Sequence, residues 1–309
     1  MQWVFIQALD VWMFRDSKPF SAGQHFHARS LFPPQPGTMQ GVIRSHYLER
    51  QGVDLRAFGK GQVTNLPIGT PSSMGSLSIT GPFVAKRHNG KPIRYVPLPL
   101  DVILIENKID KRCPPDPYHL SPAQSLIKTN SPFDGWLPLE HPEDLDLEKN
   151  QGGEYWLSEA ALQAYFEGKL TSGHLTKAAD LYQREDRTGL GMDHGRRAHA
   201  QSMFYRAEFV RPCEDVGLLV GLSADVFAGQ TGTLGIGGEG RSGVYEVLKN
   251  YSLPNSAPKE GRIKIVLLTP AWFSGGWQPA SGGWSPWAGA DAKLVSMALG
   301  KPLALSGWN

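Results

Sequence analysis

A glycine-rich run placed directly before a strand constrains the fold of this 309-residue chain more than any other feature. Leu234-Gly235-Ile236-Gly237-Gly238-Glu239-Gly240-Arg241-Ser242-Gly243 holds five glycines in ten residues and leads into the β-branched and aromatic run Val244-Tyr245-Glu246-Val247-Leu248. Backbone without Cβ atoms lets a bulky group lie against it, its N–H groups can hydrogen-bond phosphate oxygens, and Arg241 adds a forked, charge-assisted contact. A tight turn or bulge before the strand explains the same glycines without a ligand. Mononucleotide folds are disfavoured. A Walker A loop needs Lys-Ser/Thr opening a helix, and the dinucleotide fingerprint needs a strand before the loop and a helix after it.

Glycine (35) and proline (24) are abundant enough to predict many loops and few long helices. The net charge of +2 does not announce a nucleic-acid binder, but its distribution is uneven. Glu140, Glu143, Asp144, Asp146 and Glu148 form an acidic block, while Arg184, Arg187, Arg196, Arg197, Arg206 and Arg211 follow in a segment with fewer acids. Such a stripe can hold a phosphate backbone, or simply be a charge-balanced solvated face. Cys113 and Cys213 lack CxxC spacing, which argues against a disulfide scaffold or thiolate zinc site. The N-terminus has no basic n-region and no apolar run reaches spanning length, so a soluble, cytoplasmic chain with no membrane partner is expected.

Residues 3 to 9 read as a buried strand. Thr38 is expected to cap a helix carrying Met39, Val42, Ile43, Tyr47 and Leu48, with Gly41 allowing close packing on a sheet and Arg44 projecting near the middle. Further strands are expected at 77–85, 93–97 and 102–106, and a short helix at 158–167 with Ser158 as its cap. The segment 203–209 reads as a strand, 216–222 as another, 223–228 as a helical turn and 243–249 as a strand. Together with the first strand and helix these give β-α-β-β-α-β order. The fold class is therefore α+β: a ferredoxin-like (RRM-like) core divided between 1–51 and 171–254, with an insertion over 52–170. Beyond the linker at 254–258, residues 263–268 read as a strand and 291–299 as a short helix.

In order along nearly the whole chain, several motifs resemble the RAMP superfamily of CRISPR effector proteins, most closely the third subunit of type III-B (Cmr) complexes. Asp10 through Phe20, with Phe14-Arg15-Asp16-Ser17-Lys18-Pro19-Phe20, is similar to the family's opening segment. Arg29-Ser30-Leu31-Phe32-Pro33-Pro34 with Pro36, Thr38, Gly41, Arg44 and Ser45 is similar to its proline turn and first helix. Glu185, Arg187, Thr188 and Gly189 resemble the Arg-x-Gly element of the projecting thumb, here the hairpin 183–202, and 235–243 resembles the glycine-rich loop. Phe273, Gly276, Trp277 and Pro279, with Gly300-Lys301-Pro302 and Gly307-Trp308, resemble the tail of this subunit. Relatives usually continue past that element with a basic segment and a final strand, so 255–309 is expected to form a partial second ferredoxin-like lobe.

The resemblance implies a non-catalytic subunit that holds the 5′ repeat-derived tag of the crRNA. Its implied partners are the large polymerase/cyclase-like subunit, the neighbouring RAMP backbone subunit and, indirectly, target RNA; no cofactor or metal is implied. The residues expected to touch RNA are Arg15, Lys18, His27 and Arg29 after the first strand, and Thr38 and Arg44 on the helix. Arg187, Thr188, Gly189, Arg196 and Arg197 are expected to do so on the thumb, and Gly235, Gly237, Gly238 and Arg241 in the loop. Leu190 or Met192 could wedge between bases, and a surface hairpin with its arginines paired to Glu185, Asp186 and Asp193 is the simpler alternative. Two other function classes remain open at this level. A metal-independent endoribonuclease acting on repeat RNA would need a general base, for which His25, His27 and His46 are the nearby candidates. A carbohydrate-binding module could use Trp272, Trp277, Trp284 and Trp287.

Overall fold

The computed structural model describes residues 1–16, 27–64, 66–73, 75–105, 114–124, 136–141, 154–193, 198–254, 261–273, 279, 283–289 and 292–300; the side chains of 190–193, 198–204 and 286 are not described. The chain is an α+β protein built mostly from antiparallel strands, and it divides into two compact units. The first contains Met1–Tyr95 and Ala179–Pro254 together with Ala304–Asn309; the second contains Val96–Ala178 and Asn255–Leu303.

The first unit is organised by β1 (Gln2–Ala8), whose Trp3, Val4, Phe5 and Ile6 are all buried. A continuous apolar run of this kind is stable only where both faces are covered, which places β1 in the interior of a sheet. In chain order its partners are β2 (Ile79–His88), β3 (Lys91–Pro97), β4 (Val216–Leu222), β5 (Thr231–Gly235) and β6 (Ser242–Leu248). Their order is β3-β2-β4-β1-β6-β5, with every pairing antiparallel. All seven residues of β4 are buried, as befits a central strand, and Gly217 is required there because a Cβ would meet the Ile6 carbonyl oxygen at 2.3 Å. The edge strand β5 exposes three of its five residues.

The helix α1 (Pro36–Arg50) lays Met39, Ile43, His46 and Leu48 inward; Met39, Ile43 and Leu48 join Val4, Ile6, Leu218 and Val220 in one core. It begins three residues earlier than the Thr38 cap predicts. Gln35 is the N-cap and Pro36 opens the helix, where the missing N–H of proline costs nothing. Gly41 faces open space, so its small size serves no close packing.

Two elements of the expected core differ. The strand predicted at 203–209 lies in the separate hairpin sheet, and the neighbour of β4 is β2, a strand that the sequence placed within the insertion. Periodicity marks a strand but not its partner, which long-range burial decides. The helical turn predicted at 223–228 is an irregular connection, and there Gln2 instead accepts the N–H groups of Val226 and Phe227 through its side-chain oxygen.

Beside this sheet, Tyr182–Asp193 and Ala198–Pro212 form one long antiparallel hairpin, and His27–Ala28 adds to it as a short parallel strand. The second unit contains the strand pairs 102–105 with 116–119 and 155–158 with 175–177. Its helix Glu159–Phe166 has Ser158 Oγ as cap, accepting from the Ala161 N–H as predicted. Residues 263–268 and 292–299 are neither strand nor helix, contrary to expectation. Val266 and Leu268 pack into the core of this unit while Ile263, Ile265 and Leu267 stay exposed. Among the described residues no helix is long and apolar enough to cross a membrane.

Candidate nucleic-acid interface

The segment after β1 ties three parts of the first unit together. Trp12 exchanges backbone hydrogen bonds with Val210 of the hairpin (2.9 and 2.8 Å), Phe14 accepts from the Leu31 N–H, and Met13 accepts from the Gly238 N–H at 2.8 Å. Val11 and Met13 bury themselves with Ala28, Ala207 and Phe209 in a small core of their own. One loop glycine answers this geometry: Gly237 has φ +88°, and a Cβ there would meet the Met13 oxygen at 2.8 Å. Ile236 and Arg241 close the loop on itself through a hydrogen bond from the Ile236 N–H to the Arg241 carbonyl. The N–H groups of Ile236, Gly238 and Arg241 are therefore used internally, and the guanidinium of Arg241 is the loop's clearest offer to an anion.

On the hairpin, Glu185 lies opposite Phe209 and Arg187 opposite Ala207, so period-two alternation puts Glu185, Arg187, Phe209 and Arg211 on one face. Gly189 belongs to the same face, where the Tyr205 ring fills the place of a side chain. Arg187 Nε donates to Glu185 (2.7 Å), and Arg211 donates to Glu185 (Nε, 2.9 Å) and to Asp10 (Nη1, 2.9 Å). Arg187 and Arg241 also reach Asp10, at 3.4 and 3.5 Å. Both have their guanidinium carbon over the Phe209 ring, at 4.9 and 4.8 Å from its centroid. The hairpin arginine and the loop arginine thus meet on one aromatic ring. Arg241 Nε is buried with no hydrogen-bond partner among the described residues. Hydrogen bonds from Arg211, then from Arg187, hold the Asp10 carboxyl below its ordinary range; for Glu185 the order is Arg187, then Arg211. Three guanidiniums face two carboxylates, which leaves a surplus positive charge at a partly exposed surface.

The other expected contacts are placed differently. Arg44 donates to the Thr70 carbonyl and lies over the Phe58 ring at 5.7 Å, so it anchors the segment after α1. Thr38 is exposed in the first turn of α1, and Thr188 is exposed on the hairpin's opposite face. Arg15 and Arg29 are exposed, Arg15 in an isolated bridge with Ser30. His27 lies 3.3 Å from Asp186, and Gly235 ends β5 with open space around it. Lys18, His25, Arg196 and Arg197 lie outside the described residues, as do the other residues of 194–197. Leu190 and Met192 sit on the first hairpin strand, without a described side chain. Asp10, Phe209 and Arg211 were not singled out as site residues by sequence. The alternation 207, 209, 211 was the available signal, but it needed the hairpin register to become readable.

His27, Asp186 and Glu208 bring ligand-type atoms within 4.8 Å of one another. Arg206 and Arg184 already neutralise the two carboxylates, which opposes a cation there. His46 is 7 % exposed, stacked on Phe227 and edge-on to Tyr245, with burial lowering its pKa. In the second unit, Phe273, Trp284 and Trp287 pack on one another in tilted and edge-on contacts, while Trp272 is largely exposed.

An antiparallel α+β protein with a long hairpin and a glycine-rich loop meeting at an arginine cluster is the class these features define. The chain matches the family described as CRISPR-associated protein (Cas_Cmr3) over residues 4–309, and it belongs to that family, as the ordered motifs implied. No curated protein matches it. Two similar solved structures are cryo-EM structures of the type III-B Cmr-beta bound to cognate target RNA, one of them also with AMPPnP. The AMPPnP-bound one is 17% identical with a TM-score of 0.46, matching 84% of this chain and 66% of that one. The other is 17% identical with a TM-score of 0.47, matching 83% and 66%. The chain thus spans just under two thirds of the length of the solved chains it matches.

Proposed function

We propose that this chain is a non-catalytic RNA-binding subunit of a type III-B CRISPR effector ribonucleoprotein. In this reading it holds the 5′ repeat-derived tag of the crRNA and bridges the large polymerase/cyclase-like subunit to the neighbouring RAMP backbone subunit, meeting target RNA only indirectly. The observation that carries it is the convergence of Arg187 from the hairpin and Arg241 from the glycine-rich loop on Phe209. Guanidiniums held over an aromatic ring are oriented for phosphate and for stacked bases, which is how single-stranded RNA is gripped without enzymatic chemistry. A ferredoxin-like core is supported by the order β2-β4-β1-β6, with α1 following β1 and an irregular connection where a second helix would lie. Residues 255–303 belong in this reading to a second lobe.

Crosslinking the chain to RNA in its native complex and sequencing what it holds tests the reading. A uniform short tag at the crRNA 5′ end is expected. Heterogeneous cellular RNA, or none, rejects it. Cleavage of repeat RNA by the isolated chain would reject the non-catalytic part.

A further inference from the structure

We infer that Asp10 is a resident anion: its carboxylate sits where the guanidiniums of Arg187, Arg211 and Arg241 converge, and a phosphate of bound RNA displaces it. This rests on the RNA-binding reading and adds to it how the site is kept before the ligand arrives.

The two acids of the cluster are held differently. Glu185 stands on a hairpin strand and is gripped at 2.7 Å by Arg187 and at 2.7 and 2.9 Å by Arg211, distances typical of strong charge-assisted hydrogen bonds. Asp10 has one such contact, 2.9 Å from Arg211, and two loose ones at 3.4 and 3.5 Å. Its side chain is 48% exposed. The backbone on either side is fixed: the Leu9 N–H donates to Ser242, and Trp12 pairs with Val210. Releasing the carboxylate therefore requires only a side-chain rotation into water, with no movement of the strand. With Asp10 turned away, three guanidiniums face the single carboxylate of Glu185, and the surplus rises from one positive charge to two. Glu185 is the anchor that keeps the arginines aimed, and Asp10 is the occupant that an incoming phosphate replaces. A carboxylate in that seat also shields the arginines from incidental anions.

The test uses the full chain and fluorescence anisotropy with a short fluorescein-labelled single-stranded RNA. Wild type is compared with Asp10→Asn, Asp10→Ser and the Arg187→Ala/Arg241→Ala double variant, each checked for an unchanged melting transition. Both Asp10 variants are expected to bind roughly two- to fivefold more tightly, the scale of one exposed ion pair removed from competition. Their affinity is also expected to fall more steeply with salt, because an additional anion is released on binding. If the Asp10 variants bind equally or more weakly while the double arginine variant loses affinity, Asp10 merely positions the arginines; the inference fails and the RNA reading stands. If both Asp10 variants lose the folded state, Asp10 is a structural clamp and the inference fails as well. If the double arginine variant binds like wild type, the RNA reading itself falls and takes this inference with it.

Discussion

On one face of the hairpin, Glu185, Arg187 and Arg211 meet Asp10 and Arg241; on the other, Arg184, Asp186, Arg206 and Glu208 meet His27 and Ser30. The residue types are nearly the same and the charge balance is not. Two arginines and two carboxylates neutralise each other on the second face, where Arg184 and Glu208 also take up the Ser30 carbonyl and N–H and so fasten the 27–30 segment. The first face receives one further guanidinium, from the glycine-rich loop. That single addition separates a charge-balanced ion-pair network from one with a surplus positive charge. It also explains why arginine content alone was ambiguous, since four of the hairpin arginines divide equally between the faces.

The largest effect should come from removing the platform of the charged face. Phe209→Ala deletes a buried ring from a small core and is expected to cost about 3–5 kcal/mol of stability by chemical denaturation; a loss well under 1 kcal/mol would mean the ring is not a packing element. Next, Arg187→Ala/Arg241→Ala should lower affinity for single-stranded RNA by about a hundredfold or more, since hydrogen bonds to charged groups contribute roughly 1.5–3 kcal/mol each. The matched control on the balanced face, Arg184→Ala/Arg206→Ala, should change RNA affinity less than about twofold and stability by no more than roughly 1 kcal/mol per ion pair. Equal losses from the two double variants would erase the distinction drawn between the faces.

The smallest effect concerns pH. Burial depresses the pKa of His46, so the native state holds it neutral while the unfolded chain takes up a proton near its ordinary value of 6.5. Its contribution to stability is complete above that value and is lost as pH falls through the depressed native pKa. Urea midpoints measured from about pH 8 down to about pH 5 should decline, and His46→Phe should flatten the decline. A decline unchanged in His46→Phe would put the acid sensitivity elsewhere in the molecule.

Much of the fold was legible locally. The apolar runs of β1 and β4, the helix after the proline turn and the Ser158 cap follow from periodicity and capping chemistry that act over a few residues. The Arg-x-Gly element and the glycine-rich loop were also readable as candidate RNA contacts. What escaped was pairing: β2 rather than 203–209 beside β4, and Arg44 turned to Thr70 instead of toward a ligand.

Local periodicity and turn chemistry are written residue by residue, so the sequence by itself determined that β1 and β4 are buried strands, that a helix follows the proline turn and that a glycine-rich loop precedes β6. Only the tertiary structure decided which strands become neighbours, which face of the hairpin receives Arg241 and that Asp10 stands among three guanidiniums. Those choices depend on burial and charge shared between residues up to 231 positions apart, and no window along the chain contains both ends.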